Sequence, residues 1–395
     1  MIARLKTKMG ILRDKFYPDF LDVMPQSAWK FLPGQSTHFG PPRRWSTFAD
    51  YSRRHGDTWQ EIEPAGQLIH SPLFHRPKPK LPDRVLPEIS WTSLGLATIA
   101  EARILREDGW VIGRNDTFLG EFCRSGNSRH SKVYYLIQAN RLQRLKGVTL
   151  NLTSRYASFN FYHWMIDAVS RADLFLRSGR SWDDVDFVVL PSLRTETTEA
   201  VVAALGVPVE KILRVDRHTH LQCDTLLQLS LPSDRYMGAA PCVGRFHRDL
   251  LGMAEPLPSN QAARLYIPRR QNRRLVEVKI LEERLRREGF EEAALDDFQR
   301  LRRQLASARH IAAIHGAALT NLIYARADAR ILEFAPQDHS CGLFRSLVAP
   351  FGLGYGLCVG PSLKPRCPRR NPYNQSDFSI TEAEILTAVE ALLSK

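Results

Sequence analysis

Cysteine is scarce in this 395-residue sequence, and its spacing excludes the usual cysteine-based sites. The six cysteines are Cys123, Cys223, Cys242, Cys341, Cys358 and Cys367. None belongs to a Cys-x-x-Cys pair, and no ordered His/Cys spacing indicates a structural zinc site. Sparse, unclustered cysteines in a long chain are typical of a reducing compartment, so we expect no disulfide scaffold.

Long hydrophobic runs are missing as well. No segment reaches the ~18 uninterrupted apolar residues that a membrane-spanning helix needs, and the first residues lack the continuous apolar core of a signal peptide. We therefore expect a cytoplasmic protein. The first residues do mix apolar and basic side chains, namely Ile2, Leu5, Met9, Ile11 and Leu12 with Arg4, Lys6, Lys8, Arg13 and Lys15. This mixture is typical of peripheral contact with an anionic membrane, the alternative being a solvated terminal helix.

Acidic residues are the minority among the charged side chains. The chain has 55 Lys and Arg against 42 Asp and Glu, a formal net charge of +13. A basic balance favours anionic partners such as nucleic acid, anionic lipid or phosphorylated ligands, and charge alone does not choose among them. The arginine-rich region 264–309 supports a nucleic-acid-binding α/β protein as an alternative function, but few aromatic residues are interleaved there. We therefore expect no nucleic acid among the partners.

Two familiar nucleotide motifs are also absent. Neither Gly-x-Gly-x-x-Gly nor a Walker A sequence occurs, which disfavours dinucleotide-binding and P-loop proteins. The acidic doublets Asp183-Asp184 and Asp296-Asp297 are not interpreted as a site for a divalent cation on a nucleotide sugar, because helix capping explains them better. We therefore expect no metal ion and no tightly held cofactor.

Strand-like and helix-like patterns alternate in two successive blocks. The predicted strands are Trp110–Gly113, Lys132–Ile137, Val148–Leu152, Asp186–Pro191, Ile212–Val215, Thr225–Leu229, Arg264–Pro268, His310–His315 and Ala329–Phe334. The predicted helices are Phe159–Leu176, Glu196–Leu205, Glu277–Glu288, Asp297–Ala308, a helix beginning at Gly316, and Thr381–Leu393. This rhythm is typical of doubly wound parallel sheets, and the length of the chain fits two domains.

We divide the chain into three parts. Residues 1–94 form an N-terminal extension whose prolines, Pro72, Pro77, Pro79, Pro82 and Pro87, indicate an extended connector. Residues 95–240 form an N-terminal α/β lobe, and residues 241–395 form a C-terminal α/β lobe. In open α/β sheets ligands bind beyond the carboxyl ends of the strands, so functional residues are sought there.

The first candidate site is the stretch Asn160-Phe-Tyr-His163-Trp164-Met-Ile-Asp167. On a helix, residues three or four apart are neighbours, so the amide, imidazole, indole and carboxylate share one face. Asp167 or His163 could remove a proton from a hydroxyl group, and Trp164 could stack on a sugar ring. The alternative is that His163 and Asp167 form a structural hydrogen-bonded pair while Trp164 fills the core.

The second candidate follows the predicted strand that ends at His315. Gly316 and Ala317 are small, which lets backbone N–H groups at a helix start approach a phosphate, and His315 could add a donor. Thr320 and Asn321 add polar groups downstream. The alternative is tight packing of a helix on a strand, which also selects glycine and alanine.

Two further candidates lie near other strand ends. Two arginine pairs, at Arg269 and Arg270 and at Arg273 and Arg274, offer fork-shaped donors that match diphosphate oxygens. Their alternative is a solvated basic loop or a nucleic-acid patch. Glu333 could hold ribose hydroxyls, as carboxylates do at strand ends of dinucleotide-binding folds, or could be a surface glutamate.

Taken together, these motifs resemble glycosyltransferase family 61, and their order and spacing are similar to those of its bacterial, capsule-biosynthesis-like members. The matching residues, within about residues 95–360, are Asn160-x-x-His163-Trp164-x-x-Asp167, Leu265-Tyr-Ile-Pro-Arg269-Arg270 with Arg273, Ile314-His315-Gly316-Ala317-x-Leu319-Thr320-Asn321 and Ile331-Leu-Glu333. One departure is Val276-Glu277-Val278, where the family usually has an Asn-Glu pair. That departure keeps a catalytically idle nucleotide-sugar-binding relative open as a second alternative.

The resemblance implies two facing Rossmann-like lobes, the GT-B arrangement, and inverting sugar transfer from a nucleotide sugar. It implies a uridine-linked donor and a glycan or lipid-linked acceptor in cell-surface polysaccharide synthesis. The donor-side candidates it implies are Arg269, Arg273, His315, Gly316, Ala317, Asn321 and Glu333. The acceptor-side candidates are His163 and Asp167 for the base, with Asn160 and Trp164 beside them.

Overall fold

The computed structural model describes residues 42, 44–75, 88–122, 142–233, 238–257, 263–338, 343–364 and 376–394. The predicted strand Lys132–Ile137, the amphipathic start at 2–15 and most of the proline-rich connector lie outside these residues. So do Cys123, Cys341 and Cys367, whereas Cys223, Cys242 and Cys358 are buried free thiols. In the part of the chain described here, no helix is both long enough and apolar enough to cross a membrane.

A ten-stranded mixed sheet dominates the first half of the structure. Its strands are β1 Arg44–Trp45, β2 Thr58–Glu63, β5 Leu94–Ala100, β6 Arg103–Leu105, β7 Trp110–Gly113, β8 Thr117–Phe118, β9 Gln143–Asn151, β10 Phe187–Pro191, β11 Ile212–Val215 and β12 His220–Leu229. Strands β3 Gly66–Ile69 and β4 Glu88–Trp91 form a separate antiparallel pair. Four neighbours in the order β12-β9-β10-β11 are parallel, and β5 and β6 join β12 in the antiparallel sense.

The doubly wound expectation therefore holds in the first half only for those four parallel strands. The remaining strands, β1, β2 and β5 to β8, form short, mostly antiparallel pairs, which need no helical crossover between them. Residues assigned to the N-terminal extension supply β1 and β2. Further along, the Phe74 N–H donates to the Tyr355 carbonyl at 3.0 Å, and His75 bridges Gly356. The extension thus contacts both sheets.

A five-stranded, wholly parallel sheet forms the second half. Its strands are β13 Arg264–Ile267, β14 Glu291–Glu292, β15 His310–Ile314, β16 Arg330–Pro336 and β17 Gly354–Gly360. The spatial order is β14-β13-β15-β16-β17. The chain leaves β13 towards β14 and then returns past β13 to continue through β15, so the direction of winding reverses between β13 and β15. Such a switch point opens a crevice at the carboxyl ends of the two strands.

Helices connect the strands of both sheets. Their bounds are α1 Phe48–His55, α2 Phe161–His163, α3 Arg171–Arg177, α4 Glu196–Leu205, α5 Pro241–Leu251, α6 Val278–Arg287, α7 Phe298–Ser307, α8 Leu343–Val348 and α9 Glu382–Leu393. The prediction for α4 is confirmed: the Thr195 side chain caps its first turn, and Gly206 ends it with a left-handed φ of 68°. The predictions for α6, α7 and α9 are confirmed to within one or two residues at each end.

Two predicted helices differ from expectation. The helix expected over 159–176 is divided into α2, a π-helix at Trp164–Val169, and α3. The segment after Gly316 is a 3-10 helix, Ala317–Tyr324, instead of an α-helix. Glu333 also lies in the middle of β16 and not at its end. Tightened or widened helical turns are frequent at functional sites, and both of these turns carry motif residues.

One hydrophobic cluster runs between the two sheets. It includes Leu150 of the first sheet, Leu265 and Ile311 of the second, and the apolar residues of the π-helix between them. The segments that carry the two main motifs are in direct contact, because α2 packs against the 3-10 helix Ala317–Tyr324. The architecture is therefore mixed α/β, with the motif-bearing segments packed together between two sheets.

Candidate functional site

The first motif begins where the chain leaves β9. Asn160 is the N-cap of α2, and its side-chain oxygen accepts a hydrogen bond from the Tyr162 N–H at 3.0 Å. The buried guanidinium of Arg171 donates to the Thr153 carbonyl and so ties the loop between β9 and α2 to the following helix α3. This loop is therefore held at both ends, which fixes where α2 starts.

His163 and Asp167 are hydrogen-bonded at the centre of this motif. His163 Nδ1 lies 2.6 Å from Asp167 Oδ2, and because a carboxylate only accepts, Nδ1 carries the proton. The Ser233 hydroxyl donates to the other oxygen, Oδ1, at 2.6 Å. Asp167 is fully buried, whereas His163 retains 6% exposure. Nε2 of His163 carries the lone pair in this tautomer, and it has no hydrogen-bond partner within the described residues.

Trp164 does not form part of the binding face. Its side chain is fully buried within the main hydrophobic cluster. The stacking role that the sequence suggested therefore finds no exposed ring, and the indole fills the core as the structural alternative held. The π-helix contributes to this outcome because its wider turn changes the angle between successive side chains from that of the α-helix we assumed.

The second motif contains a matching histidine–carboxylate pair. His315 Nδ1 lies 2.5 Å from Glu333 Oε1, and the Tyr355 hydroxyl donates to Glu333 Oε2 at 2.7 Å. Glu333 is only 2% exposed, and both of its oxygens are engaged. The ribose-binding role predicted for Glu333 is therefore not compatible with this arrangement. Because β15 and β16 are adjacent, the carboxylate reaches across one strand spacing to orient the imidazole.

Burial and nearby positive charge keep His315 neutral. Burial lowers the pKa of His315 below its usual value; Glu333 opposes this shift, and the guanidinium groups of Arg269 and Arg273 add to it. A neutral imidazole whose Nδ1–H donates to Glu333 has its lone pair on Nε2. Because both guanidinium groups affect the pKa of His315, both arginines lie close to it.

The four arginines after β13 fall into two kinds. Arg270 pairs with Glu282 and Glu292, each at 2.7 Å, and Arg274 pairs with Asp377 at 2.8 Å. Arg269 instead donates to two backbone carbonyls, those of His315 at 3.0 Å and Asn272 at 2.5 Å. No carboxylate of the described residues pairs with it, and burial lowers its pKa.

A half-buried cation without a carboxylate partner suits an anionic ligand, because such a ligand would replace the lost hydration of the charge. Arg273 lies in the same turn, with a left-handed φ of 55° that bulky residues rarely adopt. The switch point between β13 and β15 therefore presents positive charge at the carboxyl edge of the sheet.

Gly316 allows this close approach of arginine to the strand end. A Cβ atom on Gly316 would lie 2.3 Å from Nη1 of Arg269. Ala317 then opens the 3-10 helix, and Asn321 lies within it, donating to the Ala318 carbonyl at 3.0 Å. The Oδ1 atom of Asn321 is buried, and no partner for it occurs among the residues that the structure describes. Gly316, Ala317 and Asn321 therefore follow His315 at the carboxyl end of β15.

Edge-on and tilted ring contacts connect the two histidine–carboxylate pairs. The His163 ring lies 5.3 Å from that of Tyr162, Tyr162 lies 5.8 Å from Phe344 of α8, and Phe344 lies 5.3 Å from His315. The two motifs, separated by about 150 residues in the sequence, therefore meet across two aromatic side chains. Tyr162 and Phe344 are both buried, so the spacing between the histidines is fixed by packing.

Sequence patterns missed four residues of this arrangement. Ser233 bonds to a residue 66 positions away, and Tyr355 to one 22 positions away. Phe344 and Tyr162 are apolar or aromatic residues of ordinary helical segments. No local spacing marks any of them, since their partners are chosen by tertiary contacts.

No metal cluster occurs in the described residues, and the cavity beside α3 is lined by residues outside the two motifs. The described residues contain no group of three or more His, Cys, Asp or Glu side chains placed to hold a metal ion. A cavity of about 480 Å³ opens elsewhere, among β2, α3 and α5. Its Arg177 already pairs with Glu63 and Asp173, and no motif residue lines it.

Comparison with known proteins finds a family match. No curated protein matches the chain. Residues 161–332 match the model of the family Glycosyltransferase 61. This stretch contains both histidines of the site, Asp167 and the arginine turn. Over these residues, which carry the site, the chain is similar to glycosyltransferase family 61.

Proposed function

We propose that this protein is a glycosyltransferase that moves a sugar from a nucleotide-diphosphate donor to a hydroxyl group, with inversion at the anomeric carbon. The family match supports sugar transfer. The observation that carries the proposal is the contact between the two motifs. His163 and His315 lie on either side of Tyr162 and Phe344, and the His315 carbonyl accepts a hydrogen bond from Arg269 of the cationic turn. Sugar transfer needs both a proton acceptor for the incoming hydroxyl and positive charge for the leaving diphosphate.

His163 is the proposed general base, and Asp167 is its positioning residue. Asp167 was an equal candidate from the sequence, but its two oxygens are occupied by His163 and Ser233 and it has no exposed surface. The carboxylate instead holds the Nδ1–H tautomer and stabilises the imidazolium that forms when Nε2 takes a proton. This division of roles is the usual one for a buried aspartate behind a histidine.

The donor diphosphate is proposed to bind at the switch point between β13 and β15. Arg269 lies there without a carboxylate partner within the described residues, and Arg273 lies in the same turn. The small residues Gly316 and Ala317 would let phosphate oxygens approach the backbone N–H groups at the start of the 3-10 helix. His315, held by Glu333 and Tyr355, supplies a neutral imidazole at the edge of this site.

The proposed reaction is a single displacement. The acceptor hydroxyl loses its proton to His163 Nε2 while its oxygen forms a bond to the anomeric carbon. The bond from that carbon to the diphosphate oxygen breaks, and the electron pair leaves with the nucleoside diphosphate. Arg269 and Arg273 stabilise the negative charge that develops on this leaving group. Attack opposite to the leaving group inverts the anomeric carbon.

Substrate identity follows from the sequence resemblance and stays part of the proposal. We propose a UDP-linked donor, a glycan or lipid-linked acceptor, and a role in cell-surface polysaccharide synthesis of the bacterial capsule type. We also propose a two-lobed GT-B arrangement and a metal-independent reaction. The departure at Val276-Glu277-Val278 has a structural role here, because Glu277 accepts hydrogen bonds from Ser379 and the Ile380 N–H.

Nucleotide binding tests the donor site directly. We expect UDP to raise the melting temperature of the wild type, because a ligand that binds only the native state stabilises it. Arg269→Ala should lose most of that increase. The matched control is Arg270→Ala, one residue away, whose exposed ion pairs are worth at most about 1 kcal/mol and which should retain the increase.

Turnover then separates an active enzyme from an idle relative. UDP release from a panel of UDP-sugars is measured with and without added glycan acceptors. Asp167→Asn should lower turnover by about 10²–10⁴-fold, the usual contribution of a general base, and should leave the UDP-dependent melting shift unchanged. Nucleotide binding without any turnover in the wild type would favour the idle relative. An equal loss of binding in both arginine variants would contradict the proposed donor site.

A further inference from the structure

An aromatic ledge lies beside the first histidine–carboxylate pair. We define the ledge as Tyr156 and Phe159, two rings of the loop between β9 and α2. The Phe159 ring centroid lies 5.9 Å from that of Tyr156, in an edge-on contact. Tyr156 in turn lies 5.2 Å from the His163 ring. Phe159 is therefore two ring contacts from the proposed base.

Phe159 is unusually exposed for a phenylalanine directly before the N-cap of a helix. The residue is 65% exposed, compared with 46% for Trp45 and 40% for Trp59, two other exposed aromatic residues of the described part of the chain. A hydrophobic residue directly before an N-cap commonly packs against the first turns of its helix as a staple. With most of its surface in solvent, the Phe159 ring gains little from such packing, so the staple does not explain it.

The backbone of Tyr156 is strained in the conformation that positions its ring. Its φ is 71°, in the left-handed region that bulky residues rarely adopt. Strain of this kind costs about 1–3 kcal/mol and occurs most often at functional sites. The Tyr156 carbonyl accepts from the N–H groups of Phe159 and Asn160, at 3.2 and 2.9 Å, and the Arg155 guanidinium lies 4.6 Å from its ring. The loop is thus fixed with the Phe159 ring outward.

A polar donor group lies beside the ledge. Asn160 uses its side-chain oxygen to cap α2, and its NH2 group has no partner among the residues described here. An exposed aromatic face next to an amide donor fits a sugar ring, because the apolar C–H face of a pyranose packs on an aromatic ring while its hydroxyl groups accept hydrogen bonds.

We propose that Phe159, with Tyr156 and Asn160, forms a stacking subsite for a sugar ring of the acceptor glycan. The inference rests on the proposed function, and it gives Phe159 the stacking role that the buried Trp164 does not perform. A sugar ring on this ledge would lie next to the acceptor unit whose hydroxyl faces His163. The enzyme would accordingly prefer acceptors with at least two sugar units.

Glycan binding by exposed-residue variants tests the subsite. The probe is an array of neutral and acidic oligosaccharides, followed by titration of those that bind. We expect Phe159→Ala to weaken binding about tenfold, as the loss of one aromatic stacking contact and its buried area would do. Phe159→Leu should be similarly weak because it is apolar but lacks a flat face, whereas Phe159→Trp should restore binding. Trp45→Ala, an exposed aromatic at the far edge of the mixed sheet, is the matched control.

A parallel measurement of UDP binding separates the two proposals. Phe159→Ala should keep the wild-type melting temperature and its UDP-dependent increase, because the ring is exposed and its ring contact is with Tyr156. Glycan binding that survives Phe159→Ala, or a wild type that binds UDP but no glycan of the array, overturns the subsite while the donor site stands. A wild type that binds neither UDP nor any glycan overturns the proposed function and the subsite together.

Discussion

His247 offers a quantitative test of how the site helix is supported. This histidine of α5 is fully buried, and its Nε2–H donates to the Met165 carbonyl at 2.9 Å. Met165 belongs to the π-helix that carries Asp167. Nδ1 of His247 is buried, and no hydrogen-bond partner for it occurs in the described residues. Protonation would therefore place a charge and an unpaired N–H in the core.

The magnitude follows from the shifted pKa. Burial lowers the pKa of His247 from 6.5 to about 4, opposed by the hydrogen bond to Met165. A histidine whose folded-state pKa is lowered stabilises the fold above pH 6.5, and this contribution is lost as the pH falls towards 4, because the unfolded chain takes up the proton first. The loss amounts to about 2 kcal/mol at pH 5 and about 3 kcal/mol at pH 4.

His247→Gln removes the titration and keeps a donor for the Met165 carbonyl. The free energy of unfolding of the wild type and the variant would be measured by urea denaturation between pH 7.5 and pH 4.5. At neutral pH we expect the variant to be less stable, by about 1 kcal/mol, the typical cost of a core substitution. On acidification the wild type should lose this advantage and become the less stable of the two near pH 5.

The control is His218→Gln, a replacement of the same kind at an exposed position. It reports what the same replacement does to the free energy of unfolding away from the core. A difference between the wild type and His247→Gln that stays constant over the pH range would refute the reasoning, because it would mean that this imidazole takes up its proton as readily in the folded state as in the unfolded chain.

Two further predictions concern the second motif. Gly316→Ala should reduce the UDP-dependent melting shift with little change in melting temperature, because its Cβ would displace the end of the flexible Arg269 side chain; a full shift would contradict the predicted displacement. His315→Ala should lower the free energy of unfolding by about 1–3 kcal/mol, because it leaves one buried oxygen of Glu333 without its hydrogen-bond donor. Adding Glu333→Gln to His315→Ala should recover part of that loss in urea denaturation, and no recovery would exclude the unsatisfied carboxylate oxygen as its cause.

Local sequence patterns predicted the elements that local forces determine. The bounds of α4 follow from the Thr195 cap, the helical periodicity and the terminal Gly206, all within one short segment. The parallel strand β10 follows from an apolar run closed by Pro191, with a strand on either side. The proximity of His163 to Asp167 also needs only helical spacing, and it survives the change from an α-helix to a π-helix.

Interactions over long sequence separations decided the rest. The sequence placed Trp164 on a binding face, whereas packing between the two sheets buried it and left Phe159, five residues earlier, exposed. It placed Glu333 at a strand end, whereas pairing with β15 and β17 set it mid-strand beside His315 and Tyr355. Helical and strand periodicity can be recognised from neighbouring residues. Which aromatic ring is buried, and which carboxylate bonds to which imidazole, depends instead on segments that only the folded chain brings into contact.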